Sequence, residues 1–289
     1  MVLSDRYTVY LPAEKETADL TRGSVLFIGT ATVLLQYAGF TILTDPNFLR
    51  QGEQVHLGYG IRSMRQTNLA IDLQQLPPID FVLLSHFHED HFDRRVAREL
   101  DRGTPIITTP QASLKLRRRG FAATEPLATW ETLTLHKGLS MLRLTALPAR
   151  HGPPLVGRAL PQVMGSMLEF MDQDGQVLRR IYISGDTLWY DQLKAIPQHY
   201  PQIDLSLMHL GGTRVMGILV TMDAQQGLEA LENINAHKTV PIHYNDYSLF
   251  KSPLDDFKRV VAISGLEERV VYLNHGDKYT FEVLEKQER

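Results

Sequence analysis

The stretch Ile79-Asp80-Phe81-Val82-Leu83-Leu84-Ser85-His86-Phe87-His88-Glu89-Asp90-His91-Phe92 decides how this chain is read. Residues 79–84 have the content of a buried strand. His86, His88, Asp90 and His91 then crowd metal-ligand side chains into six consecutive positions. Residues 92–102 read as a helix that ends near Gly103. A dense polar cluster between a core strand and a helix N-terminus is where α/β folds put their chemistry. On an extended backbone His86 and His88 point to one side, whereas Asp90 and His91 begin a turn that redirects them. One short stretch can thus serve two neighbouring ions. This spacing is not the helical His-Glu-x-x-His of zincins.

Composition narrows the chemistry. The chain has no cysteine, which excludes disulfides, thiol nucleophiles, iron–sulfur clusters and cysteine–zinc sites. A metal site here must use histidine, carboxylate and water, a set that suits zinc, manganese or iron. The formal charge of -3 gives no global pull toward nucleic acid, so none is expected as a partner. No apolar run reaches transmembrane length, and the N-terminus, with Asp5, Arg6, Glu14 and Lys15, lacks a signal-like stretch. The expected location is the cytoplasm.

Outward from the cluster, strand-like segments recur. They are 7–10, 24–28, 31–37, 40–44, 104–109, 131–135, 141–147, 164–170, 177–183, 205–208, 239–242, 269–273 and 278–284. Asp174-Gly175 marks a hairpin turn. Helices are expected over 110–119, 188–198, 224–237 and 253–263, with Thr221 or Asp223 capping the third and Ala224, Leu228, Leu231 and Ile234 as its apolar stripe. Lys115, Arg117, Arg118 and Arg119 suit a helix C-terminus and solvated face, with phosphate or nucleic-acid binding as the alternative. Residues 47–75 read either as a pocket-covering loop or as a surface excursion in which Leu57, Tyr59 and Ile61 pack down. No linker or repeat divides the chain. An α/β fold with two sheets in one domain over residues 1–289, its core at about 23–284, is expected.

Polar residues stand where strands end: Asp45, His86, His151, Asp186, His209 and His243. A buried strand fixes such a position while the following loop frees the side chain to reach a cleft. A pair of divalent ions needs about three ligands each and a bridging carboxylate. His86, His88 and His151 would hold one ion, Asp90, His91 and His243 the other, and Asp186 would bridge. The nucleophile would be a metal-activated water, with no side-chain nucleophile required.

His86-Phe87-His88-Glu89-Asp90-His91 resembles the His-x-His-x-Asp-His signature of the metallo-β-lactamase fold superfamily. The order Thr44-Asp45-Pro46, signature, His151, Gly185-Asp186, His243 is similar as well. The resemblance implies a four-layer αββα sandwich and two metal ions, zinc by default. It also implies a metal-bridging hydroxide that cleaves a phosphodiester or ester/lactone bond of a small molecule. Asp90 and Asp186 would be catalytic as well as ligands, and Asp45 would steady a ligand histidine. Gly29-Thr30-Ala31-Thr32-Val33-Leu34, Gly211-Gly212, Thr221-Met222-Asp223 and Pro241-Ile242-His243-Tyr244 resemble one branch in particular. That branch holds the ascorbate-6-phosphate lactonases and the N-acyl-phosphatidylethanolamine phospholipase D enzymes. Thr30 departs from its frequent histidine, and His209 from an apolar or small residue. Other readings of the same ligands are an iron-dependent oxidoreductase, for which no flavin module is present, and a non-catalytic metal-stabilised binding protein.

Among further candidates, His209 would donate a proton or hydrogen bond to substrate, or serve a structural bond. Arg62, Arg65 and Arg150 would receive a phosphate. His56, Tyr59, Tyr244 and Tyr247 would shape the pocket, whereas His136, His199, His237 and His275 are assigned to surface or turn positions. Oligomeric state stays open, a homo-oligomer included.

Overall fold

The computed structural model describes residues 4–12, 18–58 and 60–282. The chain opens with β1 (Ser4–Tyr10), β2 (Arg22–Gly29), β3 (Thr32–Tyr37) and β4 (Phe40–Thr44). A small hairpin of β5 (Gln54–His56) and β6 (Arg62–Met64) follows, then β7 (Phe81–Leu84), α1 (Arg94–Glu99), β8 (Ile106–Thr108), α2 (Pro110–Arg118) and β9 (Thr124–Pro126). Next come β10 (Glu131–Lys137), β11 (Ser140–Leu147), α3 (Pro154–Gly157), β12 (Gly165–Met171), β13 (Val177–Ile183), α4 (Ala195–His199) and β14 (Leu205–His209). The hairpin β15 (Arg214–Val215) and β16 (Ile218–Leu219), α5 (Ala224–Ile234), β17 (Lys238–Ile242), α6 (Leu254–Ile263) and β18 (Lys278–Glu282) complete the order.

These strands form two mixed seven-stranded sheets, ordered β18-β2-β3-β4-β7-β8-β9 and β1-β10-β11-β12-β13-β14-β17. Strand pleating explains the layering, because alternate side chains leave opposite faces. In the first sheet Val33, Leu35, Ile42, Phe81, Leu83 and Ile107 enter the core between the sheets. They meet Leu142, Leu144, Leu168, Ile181, Leu205 and Val240 of the second. The alternate residues Leu34, Leu43, Val82, Leu84 and Ile106 face the other way and pack with Val96 of α1 and Ala112 and Leu116 of α2. On the second sheet's outer face Met167 and Tyr182 pack with Ile196 of α4 and Ile234 of α5. The result is the expected αββα sandwich.

Several boundaries differ from the sequence reading, each for a local reason. Asp93 caps α1 by accepting from Arg95 N (2.7 Å) and Val96 N (2.8 Å), so the helix spans 94–99 and not 92–102. The expected helix 188–198 begins only with a 3-10 turn at Asp191–Lys194, since Leu188 N is committed to the Arg150 carbonyl and Trp189 N to Gln226 Oε1. The expected strand 269–273 is a 3-10 turn, Glu267–Arg269, followed by a single bridge between Thr239 and Val270. On that edge of β17 the next donor position is Pro241, which has no N–H to extend a ladder. Asp223, not Thr221, caps α5 through Gln226 N at 3.1 Å. Residues 47–75 are a small lobe in which Leu49, Val55 and Leu57 pack on Tyr247. Tyr59 and residues 283–284 of the last expected strand lie outside the described residues.

Candidate metal centre

The six strand-end positions converge along one edge of the sandwich. Asp45 follows β4, and His86 to His91 follow β7, all in the first sheet. His151, Asp186, His209 and His243 stand at or just beyond the ends of β11, β13, β14 and β17 in the second. Three non-glycine residues here have left-handed backbones: Thr30 (φ 55°), Asp45 (φ 36°) and His243 (φ 61°). Such conformations persist only when neighbours over-determine them. His243 N donates to the Thr30 carbonyl (2.6 Å), Asp45 N to the Leu83 carbonyl (3.0 Å), and Thr30 N to Asp246 Oδ2 (2.6 Å). Gly211 is required for the same reason. It sits at φ 92°, and a Cβ there would lie 2.4 Å from the His243 carbonyl oxygen.

Three groups of donor atoms result. His86, His88 and His151 each offer a ring nitrogen to the first, Asp90, His91, Asp186 and His243 form the second, and Asp45, His91 and His209 form a third, the atoms of each lying within 4.8 Å of one another. In the second group His91 Nε2 and His243 Nε2 are both 3.5 Å from Asp186 Oδ2, and 3.8 and 3.6 Å from Asp90 Oδ2. Tetrahedral ligands about 2.05 Å from a zinc ion stand about 3.4 Å apart, so these separations leave room for a cation. Asp90 Oδ1, Asp186 Oδ1, His91 Nε2 and His243 Nε2 are buried without a hydrogen-bond partner among the described residues. Buried orphans of this kind are rare unless an ion or water completes them. The donor set therefore fits a metal pair.

The partners on the far side of each ring orient it. His151 Nδ1 donates to the Val220 carbonyl (2.9 Å) and His243 Nδ1 to the Leu210 carbonyl (3.1 Å), which leaves both Nε2 lone pairs directed inward. Ser85 Oγ lies 3.0 Å from His86 Nδ1, while His86 Nε2 and His88 Nδ1 are 3.0 Å apart. His91 Nδ1 is 3.2 Å from Asp45 Oδ2, and Thr221 Oγ1 donates to Asp186 Oδ2 at 3.1 Å.

Electrostatics divides the first two groups. Burial, then the neighbouring imidazoles, holds His86 well below the ordinary histidine range and His88 down at about 3. Burial also lowers His151, so three neutral rings offer lone pairs. For His91 and His243 burial acts in the same direction, but the carboxylates outweigh it and both are raised, His91 by Asp186, Asp90 and Asp45 and His243 by Asp186 and Asp90. Against burial, the same imidazoles hold Asp90 and Asp186 below the ordinary carboxylate range. A divalent cation entering the second group would displace the protons of the two raised imidazoles.

Other candidates have different surroundings. His209 is fully buried, with Nδ1 3.2 Å from Ser184 Oγ and Nε2 3.3 Å from Asp45 Oδ2. Both ring nitrogens have protein partners, which is the structural bond among the two readings the sequence allowed. Arg65 is also buried, bonded to Asn47 Oδ1 and the Thr67 carbonyl, and it is unavailable to a substrate phosphate. Arg150 lies over the Tyr190 ring at 4.2 Å, and Arg62 is exposed on β6. Tyr244 and Tyr247 are buried, their hydroxyls donating to the Leu273 carbonyl and Asn47 Oδ1. His275 does sit in a turn, but its Nε2 is 3.2 Å from Asp246 Oδ1. The reading of the sequence missed Asp246 and Asn47. Each follows a quoted motif by one to three residues, and a buried polar residue so close to a ligand was the available signal.

The model of the β-lactamase superfamily domain matches residues 41–244. A UPF0173 metal-dependent hydrolase from Pyrobaculum islandicum is 27% identical over 257 residues, 88% of this chain and 97% of the relative. Among solved structures, isothiocyanate hydrolase from Delia radicum gut bacteria superposes with a TM-score of 0.74 at 20% identity, covering 90% of this chain and 99% of that one. Igni18, a metallo hydrolase from Ignicoccus hospitalis, gives 0.65 at 22% identity, covering 91% and 99%. The matched span includes Asp45, every signature residue, His151, Asp186, His209 and His243, and on that ground the chain belongs to the β-lactamase superfamily.

Proposed function

We propose that the chain, as one domain over residues 1–289, is a dinuclear-metal hydrolase that cleaves an ester, lactone or phosphodiester bond of a small molecule. The observation that carries this reading is the set of orphaned donor atoms on Asp90, His91, Asp186 and His243 beside three neutral imidazoles. The names of the Pyrobaculum relative and of both solved structures, each a hydrolase, favour the same class.

In this reading His86, His88 and His151 hold one ion, and Asp90, His91 and His243 the other, with Asp186 shared. Two divalent ions, for which this donor set suits zinc, manganese or iron, would supply an activated water at neutral pH and a Lewis acid for the polarised oxygen. The chain's own part is orientation and exclusion. The carbonyls of Val220 and Leu210 fix two tautomers, Asp45 fixes a third ring, and burial keeps bulk water from the ligands. His209 acts as a positioning residue through Asp45. The lactone and phosphodiester readings follow the branch resembled by residues 29–34, 211–212, 221–223 and 241–244.

The test is a substrate panel on metal-reconstituted protein: bis-(p-nitrophenyl) phosphate, p-nitrophenyl acetate and simple lactones, with Asp186→Asn beside wild type. Turnover of one substrate class that falls at least a hundredfold in Asp186→Asn is expected. Protein that holds two metal equivalents yet turns over none of them would overturn the reading.

A further inference from the structure

A cavity of about 650 Å³ opens beside the metal centre, and His88 is part of its wall. Its floor is Phe87, the residue between the first two signature histidines. One wall is the face of α2 and its C-terminal end, where Gln111, Lys115 and Arg119 recur at the four-residue spacing that puts side chains on one face. Arg158 to Pro161 also line the cavity, in a segment tied to α2 by the bond from Gln162 N to Gln111 Oε1 (3.0 Å).

The charges in this cavity do not cancel. Its carboxylate, Glu89, is already engaged: His56 Nδ1 lies at 3.0 Å and Arg94 Nη1 at 3.1 Å. Lys115, Arg119 and Arg158 have no carboxylate partner among the described residues. Lys115 Nζ and the Arg119 guanidinium lie over the Phe87 ring at 5.7 and 4.7 Å, a placement that holds both cations at the cavity. Arg117, on the same helix, folds back onto Thr124 instead. Only part of the basic run is therefore a solvated cap. A chain with a formal charge of -3 thus concentrates three uncompensated cations at the door of its metal site.

We propose that this cavity is a specificity subsite for the non-reacting end of the substrate, and that this end is anionic, a carboxylate or a phosphoryl group. The proposal rests on the hydrolase reading and adds a direction to it. The scissile bond lies at the ions, and the anionic tail extends past His88 toward Lys115, Arg119 and Arg158. Guanidinium and ammonium groups lining one cavity, two from α2 and its end and one from the 158–161 segment, can together bind such a tail.

Three 4-nitrophenyl esters of similar length test this: the neutral pentanoate, the hydrogen glutarate, and the 4-phosphonobutanoate. The expected result is kcat/KM at least tenfold higher for one or both anionic esters than for the pentanoate, the carboxylate and phosphonate arms telling which anion is preferred. That preference should shrink as ionic strength rises. In the triple variant Lys115→Gln/Arg119→Gln/Arg158→Gln it should disappear, with pentanoate turnover and metal content unchanged. Equal turnover of all three esters, or a preference that survives in the variant, overturns the subsite. If none of the esters is cleaved, the hydrolase reading is decided by the phosphodiester and lactone arms of the substrate panel above, and calorimetric titration with glutarate and methylphosphonate decides the cavity. Binding to wild type that weakens about tenfold in the variant supports it, and absent or unaltered binding overturns it.

Discussion

At the residue scale, Asp45 and Asp186 make a useful contrast. Both are buried aspartates at strand ends, yet Asp186 Oδ1 has no partner while both Asp45 oxygens are engaged, Oδ1 by Ser85 N at 2.7 Å and Oδ2 by His91 and His209. Burial raises the Asp45 carboxyl, but His91 and His209 outweigh this and hold it at about 2. It is an anion at every ordinary pH, and it fixes which nitrogen of His91 faces inward. Asp45→Asn keeps the shape and removes the charge. Metal affinity at the second group should fall roughly 10- to 100-fold, the usual cost of losing a partner behind a ligand histidine. Competition with a chromophoric chelator checks this, and unchanged affinity would remove Asp45 from the site. The candidate donor residues, which the structure brings together, were legible because their types and order are chemical statements in themselves. The role of His209 was not, since one-dimensional order cannot say whether a ring at a strand end faces the cleft or a neighbouring aspartate.

At the element scale, Asp93 joins pieces that are distant in sequence. Beyond capping α1 it accepts from Phe48 N and from Leu49 N (3.0 Å), so the segment after β4 is anchored to the start of the helix after the signature. Asp93→Ala would leave four backbone donors, three of them buried, to find other partners. A loss of about 2–4 kcal/mol in unfolding free energy is expected, more than an ordinary cap deletion. Denaturant unfolding measures it, and a change under about 1 kcal/mol would show that water replaces the carboxylate. Strands were readable from β-branched and alternating residues because pleating imposes that pattern. Residues 269–273 looked equally strand-like. What denies them a ladder is Pro241 on the neighbouring edge of β17, a juxtaposition that only the strand pairing reveals.

At the scale of the whole molecule, metal and protons should both register as stability. An ion held at a hundred times its dissociation constant adds about 2.7 kcal/mol to the native state. For a chain of this size that corresponds to a rise in Tm of roughly 5 °C between chelator-treated and reloaded protein. Equal melting curves would argue that the orphaned donors bind nothing. The Asp246–His275 pair gives a separate pH signature. Burial opposes both charges, but each partner outweighs it for the other, raising His275 above 6.5 and lowering Asp246 below 3.8. A raised imidazole stabilises fully below 6.5 and loses its contribution as pH climbs through the folded-state value. A lowered carboxylate stabilises fully above 3.8 and loses its contribution as pH drops through its own folded-state value. The stability difference between wild type and His275→Ala should therefore be largest between those limits and shrink on either side. A difference that does not vary with pH would contradict the pairing. This link was invisible in the sequence, where the two residues stand far apart and His275 looks like an ordinary turn residue.

The two sheets each bring only part of the ligand set to their shared edge. Neither sheet alone therefore completes any of the donor groups. On the proposed ligand set a full centre exists only when the sheets are docked, and any excursion that parts them should be felt first as leakage of metal. Occupancy of the centre is then a direct gauge of whether the sandwich is closed.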